Sequence, residues 1–166
     1  MNVDCKVGAV IKEFIVSTNG SDVLDPDKNS FLWALVKQHL VTAAHSSPVD
    51  DRREYISILM RYTESTKMYS VPSQKVVSIN TLFRCYITEK GQAIIRKHFE
   101  KEFKKTFHDY MKGAMNNTDL QIKDAIEEFC NDHNLSLDKV SFDMLKKDWY
   151  RYRMKSQIQA ICPLLF

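Results

Sequence analysis

The sequence predicts a mainly α protein, a compact bundle of six or seven helices. Three observations carry this. Apolar residues recur at three- and four-residue spacing through most of the chain. Residues that start and stop helices stand at the ends of those stretches. Only 4 Gly and 4 Pro occur among 166 residues, where average usage gives roughly 12 and 8, so connections are few and short. With 44% hydrophobic and 27% charged residues, the chain is too apolar for disorder and long enough to bury a sizeable core. Residues 1–116 are expected to form a helical core domain. Residues 117–166 are expected to form a C-terminal helical hairpin and apolar tail packed on it.

Residues 5–17 place Val7, Val10, Ile11, Phe14 and Ile15 on a helical stripe, although their β-branched content suits a strand equally; helix is favoured. Asn19-Gly20 and Asp25-Pro26 punctuate a loop. From about Ser30 to Ala44, Phe31, Leu32, Leu35, Val36, Leu40 and Ala43 fall at helical spacing, and Ser46-Ser47-Pro48 ends the run. Ser47 then caps a further helix, with Pro48 at its first position and Asp50 three residues on. Tyr55, Ile56, Leu59, Met60 and Tyr62 give that helix its buried face. Residues 65–75 read as loop, and Ser78 caps a shorter helix through Tyr86.

The clearest element runs from Thr88, as cap, to Met115. Ile95, Phe99, Phe103, Phe107, Tyr110, Met111 and Ala114 lie on one side. Lys97, Lys101, Lys104, Lys105, His108 and Lys112 lie on the other. Gly113 and Asn116-Asn117 end it. A last pair of helices follows, over about 119–133 and 139–160, around the break His133-Asn134-Leu135-Ser136.

Charge is placed unevenly. The net charge is +3, but residues 1–83 balance to zero. Residues 84–112 carry 8 basic against 4 acidic groups, residues 119–138 carry 1 against 6, and residues 139–155 carry 6 against 2. Two basic blocks thus flank an acidic one.

Enzyme chemistry leaves no spacing signature. No two of the five His residues stand four apart, so no HxxxH zinc face exists, and GxSxG, GxGxxG and GxxxxGK[ST] are all missing. The adjacent carboxylates Asp50-Asp51 and Glu127-Glu128 diverge by about 100° in a helix and form no dyad. Neither a catalytic residue nor a cofactor, metal or small-molecule substrate is therefore assigned. Cys5, Cys85, Cys130 and Cys162 form no CxxC pair and read as reduced, mostly buried thiols. Lys12 and Glu13 interrupt the apolar patch Val7–Ile11 before it completes a signal-peptide core. No run approaches the ~18 apolar residues of a membrane span. A cytoplasmic location without membrane contact is expected.

The C-terminal pair carries the most specific pattern. Within IEEFCNDHNLSLDKV (126–140), apolar Phe129, small Cys130, Asn134 at the turn, apolar Leu135, Ser136 and β-branched Val140 resemble a helix–turn–helix. Asn134 replaces the usual Gly, and Asn is the residue that best tolerates left-handed backbone angles after Gly. Asp143, with Phe142 and Met144 either side, occupies a place that is normally apolar. The following VSFDMLKKDWYRYR (140–153) looks like recognition helices of the bacterial sigma-factor type, in which a basic pair precedes Asp-Trp. Phe142, Leu145, Trp149 and Tyr152 share one face. Lys147, Arg151 and Lys155 form a row at i, i+4, i+8 on another, with Lys146 and Arg153 at its flanks.

The resemblance implies a DNA-binding accessory or regulatory protein, non-enzymatic and acting in transcription regulation. Its second helix would enter the major groove while cations meet phosphates and guanine edges. Lys139, Lys146, Lys147, Arg151, Arg153 and Lys155 are the expected contacts. Lys97, Lys101, Lys104 and Lys105 would add a second phosphate contact, although a solvated outer face is the plainer reading of that ridge. Such a module is expected to be dimeric. The apolar tail IQAICPLLF (158–166) either packs into the core or meets a second copy or protein partner. The alternative function is a helical structural, assembly or adaptor protein of a phage or mobile element, binding protein rather than DNA.

Overall fold

A computed structural model describes residues 2–42, 52–60, 85–117, 121–136 and 140–161. Five α-helices dominate these residues, as the apolar spacing predicts, but five short strands accompany them. The chain separates into two units, Met1–Phe99 and Glu100–Phe166.

The first unit opens with β1 (Asn2–Lys6), in which Val3 and Cys5 are buried while Asn2 and Lys6 are exposed, the period-two pattern of a strand. Burial pushes the Cys5 thiol up to about 12, which keeps it a neutral thiol. Gly8 then breaks the strand at φ 90°, a backbone region closed to L side chains. The amides of Val7 and Gly8 both donate to the Glu54 carbonyl, at 2.9 and 3.1 Å. Helix α1 (Ala9–Asn19) follows, buries Ile11, Phe14 and Ile15, and ends at left-handed Gly20. The strand and helix readings of 5–17 thus both hold, one after the other, with Gly8 as the divide.

Strand β2 (Val23–Leu24) leads through a loop to α2 (Phe31–His39). Ser30 caps α2, its hydroxyl accepting from the Trp33 amide at 3.2 Å. The expected helix to Ala44 stops early: from Leu40 the backbone is extended and β-branched Val41 and Thr42 continue into β3 (Leu40–Thr42). Residues 43 and 44 lie outside the described residues.

The helix expected after Pro48 is the main correction. Residues Arg52–Glu54 form one 3-10 turn, and Tyr55–Leu59 form strand β4. This strand is central to a three-stranded sheet of order β1-β4-β2, antiparallel to β1 and parallel to β2. Ile56, Ser57 and Ile58 of this central strand are all buried, so the alternation that marks a strand is erased. Ser57 is accommodated by donating its hydroxyl to Asp4 Oδ1 at 2.7 Å. Tyr62, the 65–75 loop and most of the helix expected from Ser78 lie outside the described residues. The end of that expected helix is instead strand β5 (Cys85–Ile87), paired antiparallel with β3.

Helix α3 (Glu89–Asn117) begins where expected, with the Thr88 hydroxyl accepting from the Gly91 amide at 3.2 Å. It runs through Gly113 rather than ending there. Its first residues belong to the first unit, where Gln92 accepts from the Lys6 amide at 3.2 Å and donates to the Ile87 carbonyl at 3.0 Å. Gly91 is buried, and a Cβ there would meet His39 Cβ, lying also 2.8 Å from His39 Cγ and 2.9 Å from Ile87 Cγ2. Only Gly lets the helix start sit this close.

The second unit holds the rest of α3, α4 (Ile122–Asp132) and α5 (Phe142–Ile161). Phe129 is its centre. Its ring lies 5.1 Å from that of Phe107 in an edge-on contact, 6.0 Å from Phe103 and 5.4 Å from Tyr110. Ala125, Ile126, Cys130, Leu135, Val140, Leu145 and Trp149 complete the core.

Candidate nucleic-acid interface

The turn that positions α5 is built from backbone bonds at the end of α4. The Asn134 amide donates to Asn131 O at 3.1 Å and the Leu135 amide to Cys130 O at 2.8 Å. This pair of bonds is a Schellman motif, which satisfies the last carbonyls of a helix and requires a left-handed residue. Asn134 supplies it at φ 49°, and it is the one non-Gly residue at positive φ among the described residues. Leu135, next in the chain, is buried, as are Phe129 and Cys130; an apolar residue at this place is usual in the motif. His133, at the α4 terminus, has its ring 4.6 Å from Phe129, and burial holds its pKa below the usual histidine value.

Phe129, Cys130, Leu135 and Val140, the apolar positions of the helix–turn–helix pattern, are all buried. Asp143 is exposed, and neither neighbour takes the expected buried place. Phe142 is half-buried, Met144 is exposed, and Leu145 fills the core instead.

On α5, Leu145 and Trp149 face the core, and Tyr152 stacks on His108 of α3 with centroids 4.0 Å apart. His108 Nε2 lies 2.8 Å from Asp148 Oδ2, and Lys104 Nζ lies 3.3 Å from Asp148 Oδ1. The Lys112 ammonium sits 5.0 Å from the Tyr152 ring centroid and 3.6 Å from Asp109. This half of the α3 ridge is therefore engaged with α5 or with a neighbouring acid. The reason lies in helix geometry. The buried residues Phe103, Phe107 and Met111 repeat every four positions, so their stripe advances about 40° per step. Lys104, His108 and Lys112 each follow one of them by a single residue, about 100° round the helix, so their row borders the buried stripe and does not lie opposite it. Nothing in the spacing of α3 alone reveals Asp148, which is 40 residues away from His108.

The remaining cations are differently placed. Lys147, Arg151 and Lys155 are exposed along one side of α5, with no ion-pair partner among the described residues. Lys146 and Arg153 are exposed on the opposite flank, Lys146 lying 6.0 Å from the Phe142 ring centroid. Lys101 and Lys105 are exposed on α3; Lys97 is exposed on the part of α3 that belongs to the first unit, and Lys139 lies outside the described residues. Four large apolar side chains also face solvent on α5: Met144, Tyr150, Met154 and Ile158. Sequence reading passed over these because a short run of mixed residues carries no stripe until the buried side is known.

Among the described residues, no three His, Cys, Asp or Glu side chains converge as metal ligands, and no helix is long and apolar enough to cross a membrane. A concavity of about 420 Å³ is lined, among the described residues, by Asp25, Pro26, Asp27, Lys28 and Asn29. Cys5, Cys85 and Cys130 are free thiols. No protein-family model, curated protein or solved structure matches the chain, so the reading of the site rests on its own geometry.

Proposed function

We propose that the second unit binds duplex DNA, with α5 presented to the major groove and its cations meeting phosphates. The observation that carries this is the exposed row Lys147, Arg151 and Lys155, unpaired among the described residues, on a helix whose opposite side is anchored by Leu145 and Trp149. The row spans about 12 Å at 1.5 Å per residue, or three to four base pairs at about 3.4 Å each. The left-handed turn at Asn134 supports the same reading, since it is the feature on which the helix–turn–helix resemblance depends. Lys104, held by Asp148, is removed from the proposed contacts. Lys101 and Lys105 remain.

The test is titration of the protein onto duplex DNA at two salt concentrations beside a Lys147→Glu/Arg151→Glu variant. The reading requires salt-sensitive binding that the charge reversal abolishes. Binding indifferent to the reversal would overturn it.

A second reading, a helical assembly or adaptor protein, is favoured by the apolar groups Met144, Tyr150, Met154 and Ile158 exposed on the same helix. It predicts a protein partner and no affinity for DNA at low salt.

A further inference from the structure

The exposed apolar residues of α5 are ordered with respect to its cations. Tyr150, Met154 and Ile158 stand at i, i+4, i+8 and are 45%, 59% and 50% exposed. At about 100° per residue they form one continuous ridge. The row Lys147, Arg151, Lys155 runs about 60° to one side of it, Arg153 lies about 60–100° to the other, and Lys146, four residues before Tyr150, heads the ridge itself. The outer face of α5 is thus an apolar ridge headed by Lys146, with a row of three cations along one side and Arg153 on the other.

Resting on the DNA reading, we infer that this ridge reads the C5-methyl groups of thymine, so that the favoured ligand is duplex DNA with thymines along three to four successive base pairs of the major groove. The groove matches the face feature by feature. It is about 12 Å wide, and a helix with its side chains is about 10–12 Å across. A phosphate strand borders it on each side, opposite the row Lys147, Arg151, Lys155 on one side and Arg153 on the other. The thymine methyl is the apolar group on its floor, opposite the ridge. The Tyr150–Ile158 rise of about 12 Å sets the number of base pairs reached. A second copy of this helix would bring the cations that border and head the ridge against their own kind, which favours an anionic occupant over self-pairing.

The experiment compares the full chain on an alternating dA-dT duplex and on its dA-dU counterpart, which differs only by the methyl groups. Burying one methyl is worth about 0.8 kcal/mol, close to a fourfold change in affinity. Two or three contacted methyls give a preference for thymine of roughly tenfold or more. The variant Met154→Gln/Ile158→Gln, altered only at exposed positions, is expected to lose most of this preference while keeping the salt dependence of the wild type. Equal, salt-sensitive binding to both duplexes overturns the inference and leaves the DNA reading standing. Binding to neither duplex overturns both, and binding instead to vesicles rich in anionic phospholipid, or to an acidic helical peptide, would reassign the ridge.

Discussion

Replacing Asn134 tests the turn that sets α5 in place. At φ 49° an L residue suffers a clash between Cβ and the following carbonyl worth about 1–2 kcal/mol, which Asn relieves in part through local hydrogen bonding. Asn134→Ala removes that relief and is expected to cost about 1 kcal/mol. Asn134→Val adds a branched Cβ and is expected to cost about 2 kcal/mol or more. Asn134→Gly abolishes the clash but adds about 0.5–1 kcal/mol of chain entropy to the unfolded state, so it is expected to fall within about 0.5 kcal/mol of wild type. The chain has two Trp residues, Trp33 in the first unit and buried Trp149 in the second. In a Trp33→Phe background, urea unfolding followed by Trp149 fluorescence therefore reports on the second unit. The order of stability is predicted to be Gly close to Asn, then Ala, then Val. Equal midpoints for Val and Asn would refute the left-handed turn and its Schellman bonds.

Other outcomes follow from the same packing. Gly91→Ala should destabilise the first unit, because its Cβ would meet the side chains of His39 and Ile87. Gly113→Ala, with nothing within 4 Å of the added Cβ, should stabilise by about 1 kcal/mol, so thermal melting should separate the two in opposite directions. His133 has a lowered pKa in the folded state because burial disfavours its charge. The unfolded chain therefore binds the extra proton first. The contribution of His133 is full above the unfolded pKa and is lost as pH falls below it. Urea midpoints measured between pH 7.5 and 5 should decline less steeply in His133→Gln than in wild type. Asp148→Asn should weaken the clamp between α3 and α5 by about 1 kcal/mol and, by releasing Lys104, increase rather than reduce DNA affinity in a filter-binding assay.

The second unit was largely legible in the sequence because its helices are long and its signals local. The apolar series Phe103, Phe107 and Met111 marks the buried side of α3 there, and Asn134 marks the turn. The first unit was not, for physical reasons visible in particular residues. Strand β4 owes its state to β1 and β2 on either side of it, and a strand buried on both faces loses the alternation that would announce it. Five apolar or aromatic positions around Ile56 then fit a helix as readily as a strand. Strands β3 and β5 are three residues each and find each other across 40 and more positions, a pairing no local pattern encodes. The Lys104–Asp148–His108 cluster was hidden likewise, since only the packing of α3 on α5 brings its members together.

The proposed engagement of phosphates by α5 rests on exposed cations that have no ion-pair partner among the described residues. The most direct measurement is the dependence of DNA affinity on salt. Contacts from Lys146, Lys147, Arg151, Arg153 and Lys155 predict a slope of log K against log salt of about −4 to −5. The variant Lys147→Gln/Arg151→Gln should be shallower by about 2. No binding at low salt, or a slope that these two substitutions leave unchanged, would contradict the account.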